Sequence, residues 1–447
     1  MLVVKNDCLL TDIDFQFEKL LKEKLTIDNP EYLSAKKYGR WIGKKLKPTL
    51  KYYEIVPGGI RFPRGFVNQA VLLSRSLNRS DPEIIDERRS CQEESFEFLG
   101  ELRPYQQEAL ELVLKRSFGV LEAGTGSGKT VMALGIIAER KQPTIVVVHT
   151  KELFYQWRDR AEQFLGCDVG LVGDGKFSIK PLTIAIVNTA RKRVDELVPH
   201  FGHLVVDECH RVPAGLFTDV VSKFDCKYLL GLSATAFRRD DGLTKLIYYF
   251  MGDRLHKVDQ GELQQTGAVL KPEHIQINTD FSYKYTGKYH SLIKAVVEHE
   301  GRNRKIADDV AAVVSRDPGG IALVVSDRVS HCALLADLIL KRDVTVQILT
   351  GKISAEQRAE VVEDVQAGRV QVLVATLQLI SEGFDCPGLS TLFLTTPITF
   401  EGRLLQVIGR IMRPAAGKQP RVFDYVDAAV SPLNRSAKGR KKILAGL

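Results

Sequence analysis

The stretch Phe118-Gly-Val-Leu-Glu-Ala-Gly-Thr-Gly-Ser-Gly-Lys-Thr130 decides how the rest of this sequence is read. Its opening, Phe118–Glu122, is a short apolar run of the kind that forms a buried strand, and Val131–Arg140 carries a helical period. Between them lies a turn with a glycine at every second position from Gly124 to Gly128. Only glycines let backbone N–H groups close in on an anion, and the start of a helix adds favourable dipole charge. Gly124, Thr125, Gly126, Ser127 and Gly128 are thus expected to wrap phosphates, with Lys129 reaching the β/γ-phosphates and Thr130 holding Mg²⁺. The general pattern opens with glycine, and Ala123 stands in that place here. A glycine turn alone binds nothing in particular; the strand-turn-helix setting is what points to a nucleotide.

Outward from this loop the chain alternates short apolar runs with longer helical patterns, the sign of parallel α/β sheets. Strands are expected at Phe118–Glu122, Thr144–His149, Thr183–Val187, His203–Val206 and Tyr228–Leu232. A second series follows at Ile321–Val325, Val344–Leu349, Val370–Ala375, Thr391–Thr395 and Arg421–Tyr425. Helical stretches lie between them. The stretch Ser354–Ala367 opens with Ser354-Ala-Glu-Gln357, a capping box. The two series read as two similar domains, 98–271 and 272–447, joined near Lys271-Pro272. Residues 1–97 lack the rhythm and form a smaller α+β domain, its acidic end Asp81–Glu97 acting as a linker. The basic tail from Ser431 is expected to be poorly ordered.

In the first series, His203-Leu-Val-Val-Asp-Glu-Cys-His210 ends an apolar strand in two carboxylates, at the sheet edge where α/β folds bind ligands. Strand alternation would aim them in different directions. Asp207 suits a hold on Mg²⁺, and Glu208 suits polarising an attacking water. An isolated Asp-Glu pair is more often a solvated loop; a strand that matches the one before the phosphate loop reverses that reading.

Composition narrows the classes. The chain has 447 residues, 44% hydrophobic and 26% charged, which fits two or three globular domains. No apolar run is long enough to span a bilayer, and the first residues do not resemble an export signal. The seven cysteines are scattered without a Cys-x-x-Cys pair, so neither a disulfide framework nor a zinc site is expected. The net charge is +8, unevenly spread: Lys36 to Arg79 holds eleven Lys or Arg against one acid, Glu54. There Tyr38, Trp41, Tyr52, Tyr53, Phe62 and Phe66 interleave with Arg40, Lys44, Lys45, Arg61, Arg64 and other cations. Such a stretch neutralises phosphates and stacks on unpaired bases; equally, its aromatics fill a small core and its lysines are solvated. Trp41, Lys44, Lys45, Arg61 and Arg64 are the candidate DNA contacts.

Asp-Glu-Cys-His is a DExH box, and the whole ordered set of motifs resembles that of superfamily 2 helicases over roughly residues 100–430. Leu102-Arg-Pro-Tyr-Gln106 resembles the adenine-contacting segment, which implicates Arg103 and Gln106. Val148-His-Thr-Lys-Glu-Leu-Phe-Tyr-Gln-Trp157 and Asn188-Thr-Ala190 resemble backbone-contacting motifs, implying nucleic-acid contact by Thr150, Lys151, Asn188 and Thr189. Ser233-Ala-Thr235 resembles the motif that couples hydrolysis to strand movement, and His210 would link it to the ATP site. In the second domain, Ser326-Asp-Arg328, Leu349-Thr-Gly351 and Ala375-Thr376 imply contacts by Arg328, Thr350, Gly351 and Thr376. Gly383-Phe-Asp385 resembles the segment touching ribose and backbone. Gln406-Val-Ile-Gly-Arg-Ile-Met-Arg413 resembles the arginine-finger helix: Arg410 and Arg413, three apart on one helix, would share a face and reach the γ-phosphate across a cleft, with Gln406 positioning water or phosphate.

Gly231-Leu-Ser-Ala-Thr-Ala-Phe-Arg-Arg-Asp-Asp-Gly242 resembles the XPB-type branch, although Arg239-Asp-Asp241 stands where that branch often has Arg-Glu-Asp. Gly59-Ile-Arg-Phe-Pro-Arg-Gly-Phe66 resembles the smaller phage-encoded members that remodel branched DNA. The resemblance implies two tandem RecA-like domains and an ATP- and Mg²⁺-dependent DNA helicase or translocase acting on single-strand/double-strand junctions. A short single chain with a complete set of motor parts is expected to work as a monomer. Without a spanning run or export signal it is expected away from membranes, in the cytoplasm of a prokaryotic or phage-infected cell, or in a nucleus if eukaryotic. The alternatives are an RNA helicase with the same engine, the motor subunit of a restriction system, and an ATP-gated clamp without turnover.

Overall fold

The computed structural model describes all residues except 38, 40, 78–80, 212–214, 235–242, 318, 352, 382–385 and 387. The chain forms two compact units, Met1–Ala123 with Gly128–Val258, and Asp259–Leu447 with Gly124–Ser127. The fold is α/β: two tandem RecA-like domains with parallel sheets and a smaller N-terminal α+β domain.

The N-terminal domain is built on β1 (Leu2–Val4), β2 (Asp7–Thr11), a short pair β3 (Thr26–Asp28) and β4 (Thr49–Lys51), then β5 (Glu54–Val56), β6 (Gly59–Pro63) and β7 (Ile84–Asp86). Its five-stranded sheet runs β5-β6-β2-β1-β7, so the acidic segment expected to be a linker supplies an edge strand. The inward positions of β2 and β6, Cys8, Leu10, Ile60 and Phe62, alternate with outward ones, as a one-sided sheet requires. Phe62, Phe66 and the partly buried Tyr52 pack against Tyr249 and Phe250 of the helix Thr244–Met251 in one continuous core. Gly65 permits this approach: a Cβ there would lie 2.5 Å from the Tyr248 carbonyl oxygen and 2.5 Å from the Gly252 nitrogen. Of the aromatics in the basic stretch, these are therefore core residues.

The first RecA-like sheet contains β8 (Phe118–Glu122), β9 (Thr144–Val148), β10 (Gly170–Gly173), β11 (Lys176–Phe177), β12 (Leu182–Ile186), β13 (His203–Asp207), β14 (Tyr228–Ser233) and β15 (Arg254–Lys257). Their order is β11-β10-β12-β9-β13-β14-β8-β15, all parallel apart from the β10–β11 hairpin. β9, β12 and β13 are buried along their whole length, which is why they read as unbroken apolar runs. The parallel register brings the ends of β8, β13 and β14 to one edge: Ser233 lies opposite Glu122, and Asp207 opposite Leu232.

The second sheet holds β16 (Glu273–Asn278), β17 (Ile321–Ser326), β18 (Val346–Leu349), β19 (Val372–Thr376), β20 (Leu389–Leu394) and β21 (Arg421–Val426), all parallel, in the order β16-β21-β20-β17-β19-β18. β16 is an edge strand with a polar, alternating sequence, so it carries no apolar run. The capping box at Ser354 is formed: Ser354 Oγ accepts from Gln357 N–H at 3.2 Å and Gln357 Oε1 accepts from Ser354 N–H at 2.9 Å.

The C-terminal tail corrects its expectation. Ser431–Ala445 is a helix with proline in its first turn, and Arg440 is buried against Asp424 of β21, with Nε donating to Oδ1 at 2.8 Å. The seven cysteines are free. Among the described residues, no helix is long and apolar enough to cross a membrane.

Candidate nucleotide and nucleic-acid site

The phosphate loop follows β8 and leads into the helix Lys129–Arg140. Gly126 and Gly128 sit at φ +88° and +79°, in the left-handed region that only glycine adopts without strain. A Cβ on Gly128 would also lie 2.4 Å from Gln106 Nε2. That amide is oriented from behind, because Gln106 Oε1 accepts the Arg103 N–H at 3.0 Å. Arg103 caps the helix Pro104–Leu114, and Gln106 is buried against the loop. Inside the loop, Ser127 Oγ donates to the Gly124 carbonyl at 2.7 Å. Lys129 Nζ donates to the Ala123 carbonyl at 3.0 Å, a bond a phosphate oxygen could replace. Thr130 follows in the first turn, and Thr125 lies in the loop itself.

At the end of β13, both oxygens of Asp207 are held. Oδ2 accepts from Trp157 Nε1 at 2.8 Å and Oδ1 from the Glu208 N–H at 2.9 Å. The strand stops at Asp207, and Glu208 takes φ +50°. A left-handed turn, rather than the strand alternation expected from sequence, therefore separates the two carboxylates. Burial raises the Asp207 carboxyl, and the Glu208 charge raises it further. Burial also acts against ionising Glu208, but His210, Lys129 and His149 outweigh it and hold its carboxyl down at about 2. Glu208 is thus an ionised acceptor at neutral pH. His210 Nδ1 lies 3.0 Å from Ser233 Oγ and 3.1 Å from Glu208 Oε2; the hydroxyl is its aligned partner, which leaves Oε2 buried without an aligned donor. Thr235, the other end of that motif, lies outside the described residues.

Among the described residues, no cluster of three or more His, Cys, Asp or Glu could hold a metal by itself. The donors present, the Thr130 hydroxyl and the Asp207 carboxylate facing Lys129, fit a hard cation that arrives with phosphate oxygens.

Thr150 caps the helix Lys151–Leu165, its hydroxyl accepting from Leu153 N–H at 3.3 Å. Lys151 is exposed and ion-paired with Asp174, in the β10–β11 turn. Asp174 also accepts from the Tyr155 hydroxyl at 2.8 Å. Asn188 is exposed and Thr189 half-buried on the helix Val187–Lys192.

In the second unit, Arg328 caps the helix Val329–Leu340, and its N–H donates to Ser326 Oγ at 3.1 Å. That hydroxyl meets His331 Nδ1 at 2.9 Å, and His331 Nε2 meets Asn303 Oδ1 at 2.9 Å, a buried relay with no sequence signal. Thr350 and Thr376 are 4% and 9% exposed, and Gly351 is exposed. Gly383 and Asp385 lie outside the described residues. Gln406 and Arg410 lie one turn apart on the helix Glu401–Ile411, and Arg410 Nε donates to the Ile380 carbonyl at 3.0 Å. The helix ends at Ile411 with Met412 as its cap, so Arg413 does not share a helical face with Arg410, a further correction.

In the N-terminal domain, Trp41 is 89% exposed, and Lys44 and Lys45 are exposed beside it. Arg61 is half-exposed but paired with Asp7 at 3.3 Å and Glu54 at 3.4 Å. Arg64 is corrected outright: it is 2% exposed, and its Nη1 donates to the Cys226 carbonyl at 2.7 Å, so it joins the N-terminal domain to the first RecA-like domain and reaches no external strand.

Residues 99–238 match the family described as "Type III restriction enzyme, res subunit", and residues 304–415 match "Helicase conserved C-terminal domain". The chain is 27% identical to the "DNA 3'-5' translocase XPB2" of Sulfurisphaera tokodaii over 355 residues, covering 70% of this chain and 79% of the relative. It is 27% identical over 326 residues to "Probable helicase D10" of Escherichia phage T5, covering 72% and 71%. Its fold is similar to that of Saccharomyces cerevisiae Dbp5 bound to RNA and ADP BeF3, with TM-score 0.55, 17% identity and coverage of 77% and 94%.

Proposed function

Because the chain belongs to the superfamily 2 DExH-box helicases, in their XPB-like branch and alongside phage helicases, we propose that this ATP hydrolase translocates on DNA and remodels forked or branched structures. The observation that carries the motor reading is the His210 contact. One imidazole lies against both the buried, ionised Glu208 and Ser233, linking the hydrolytic carboxylate to the coupling motif. Glu208 polarises water for in-line attack on the γ-phosphate and takes up its proton. The loop backbone and Lys129 hold the phosphates, and Gln106 reads the adenine edge. Thr130 and Asp207 would hold Mg²⁺, which neutralises phosphate charge. Arg410 and Arg413 supply guanidinium charge to the γ-phosphate, and Gln406 positions it.

Thr150, Lys151, Asn188, Thr189, Arg328 and Gly351 grip the sugar-phosphate backbone. Such contacts read no sequence, so movement is sequence-independent. The DNA part is supported by a relative named as a DNA translocase, and the branched-DNA part by the cationic, aromatic stretch Lys36–Arg79 of the N-terminal domain. The test is an unwinding panel of labelled single-strand, overhang, fork and four-way DNA, each with ATP and with a non-hydrolysable analogue. ATP-dependent conversion of forks and four-way junctions is expected. Conversion of RNA duplexes alone would replace this reading with an RNA helicase.

A further inference from the structure

The basic, aromatic stretch divides into two populations. Phe62 and Phe66 are buried, and Tyr52 and Tyr53 pack against the same core. Trp41 is the opposite case, at 89% exposure, although an exposed indole leaves a large apolar surface in water. It sits in the loop between the helix Pro30–Lys37 and β4. The ring comes close to its own loop: a Cβ on Gly43 would lie 2.7 Å from the outer edge of the indole. Lys44, Lys45 and Lys47 follow directly and are exposed; among the described residues none of the three is ion-paired. Arg61, by contrast, is neutralised by two carboxylates.

We propose that Trp41 is a stacking platform for one unpaired DNA base, with Lys44, Lys45 and Lys47 holding the phosphates beside it. This rests on the DNA-remodelling reading and deepens it, since a motor that grips only backbone has no means of choosing a junction. A flat aromatic face takes any base, whereas a base inside a duplex offers no free face. Uncompensated lysines supply the counterion-release attraction of a phosphate chain. The platform therefore selects sites where single strand leaves duplex.

The chain carries its own reporter, because the other tryptophan, Trp157, is 1% exposed. Without nucleotide, a short oligothymidylate should quench the fluorescence of the full chain, and a blunt duplex of equal charge should quench it far less. Trp41→Ala should abolish this quenching and weaken fork binding by about 5- to 150-fold, with Trp41→Phe recovering part of the loss. Lys44→Gln with Lys45→Gln should lower the salt slope of single-strand binding by about 1.4. Equal quenching by blunt duplex, equal quenching by anionic lipid vesicles, or wild-type fork affinity in Trp41→Ala would each overturn the proposal. Because no ATP is present, loss of turnover or unwinding elsewhere would sink the motor reading without touching this one.

Discussion

Trp157 Nε1 donates to Asp207 Oδ2 at 2.8 Å, tying the helix that begins after Thr150 to the carboxylate at the end of β13. The indole is fully buried, so its partner is unambiguous. A candidate strand-gripping element and a candidate Mg²⁺ ligand thus share one hydrogen bond. Trp157→Phe keeps most of the packing and leaves a buried carboxylate oxygen without its donor. The expected costs are about 1.5–3 kcal/mol of stability and a roughly ten-fold higher Mg²⁺ requirement for turnover. A thermal melt and a Mg²⁺ titration of ATPase rate check this; an unchanged Mg²⁺ requirement would make Trp157 a packing residue only.

Glu208→Gln removes the buried acceptor while keeping its shape. Turnover should fall by at least about 10²-fold with ATP binding retained. The melting temperature at neutral pH should fall, because His210, Lys129 and His149 stabilise the Glu208 charge in the native state and hold its carboxyl at about 2. Lys129→Ala should lose both nucleotide affinity and turnover. Wild-type hydrolysis by Glu208→Gln would remove it from the role of base.

Asp174 occupies the Lys151 ammonium and the Tyr155 hydroxyl as a strand phosphate would. Asp174→Asn should free Lys151, tighten single-strand binding about two- to five-fold and steepen its salt slope by about 0.7. Binding isotherms across a salt series test this. Unchanged affinity would mean that Lys151 does not face the strand.

His331 is pushed down to about 3 by burial, with the Arg302 charge adding to the effect. The native state refuses a proton that the unfolded chain takes up near pH 6.5. Stability should therefore be unaffected above that pH and fall between about pH 6.5 and 3, at up to about 1.4 kcal/mol per unit for this group. In His331→Asn that part of the acid slope should vanish, which denaturant melts at several pH values would reveal. An identical slope in both proteins would contradict the assignment.

Much of this was legible in the sequence because it is local. Phe118–Glu122, Thr144–Val148 and His203–Asp207 are apolar because they are buried on both faces, and their runs announce it. The Ser354 capping box needs only four consecutive residues. Arg64 and Arg440 each sit in a run of cations that looks solvated, and each is buried by a partner outside that run, the Cys226 carbonyl and Asp424. Arg413 misled because a helical period does not mark its own last turn. β16 was missed because an edge strand with one polar face has no apolar run.

By itself the sequence determined the two strand–helix series, the glycine-built loop between β8 and its helix, and the order of its carboxylates, hydroxyls and guanidinium groups. Those depend on periodicity and on backbone demands made within a few residues. Tertiary structure alone decided which cations are buried, that Trp157 holds Asp207, that His210 lies against both Glu208 and Ser233, and that Trp41 is left outside while Phe62 and Phe66 go in. Burial and pairing belong to surfaces brought together from distant strands, and no local pattern carries them.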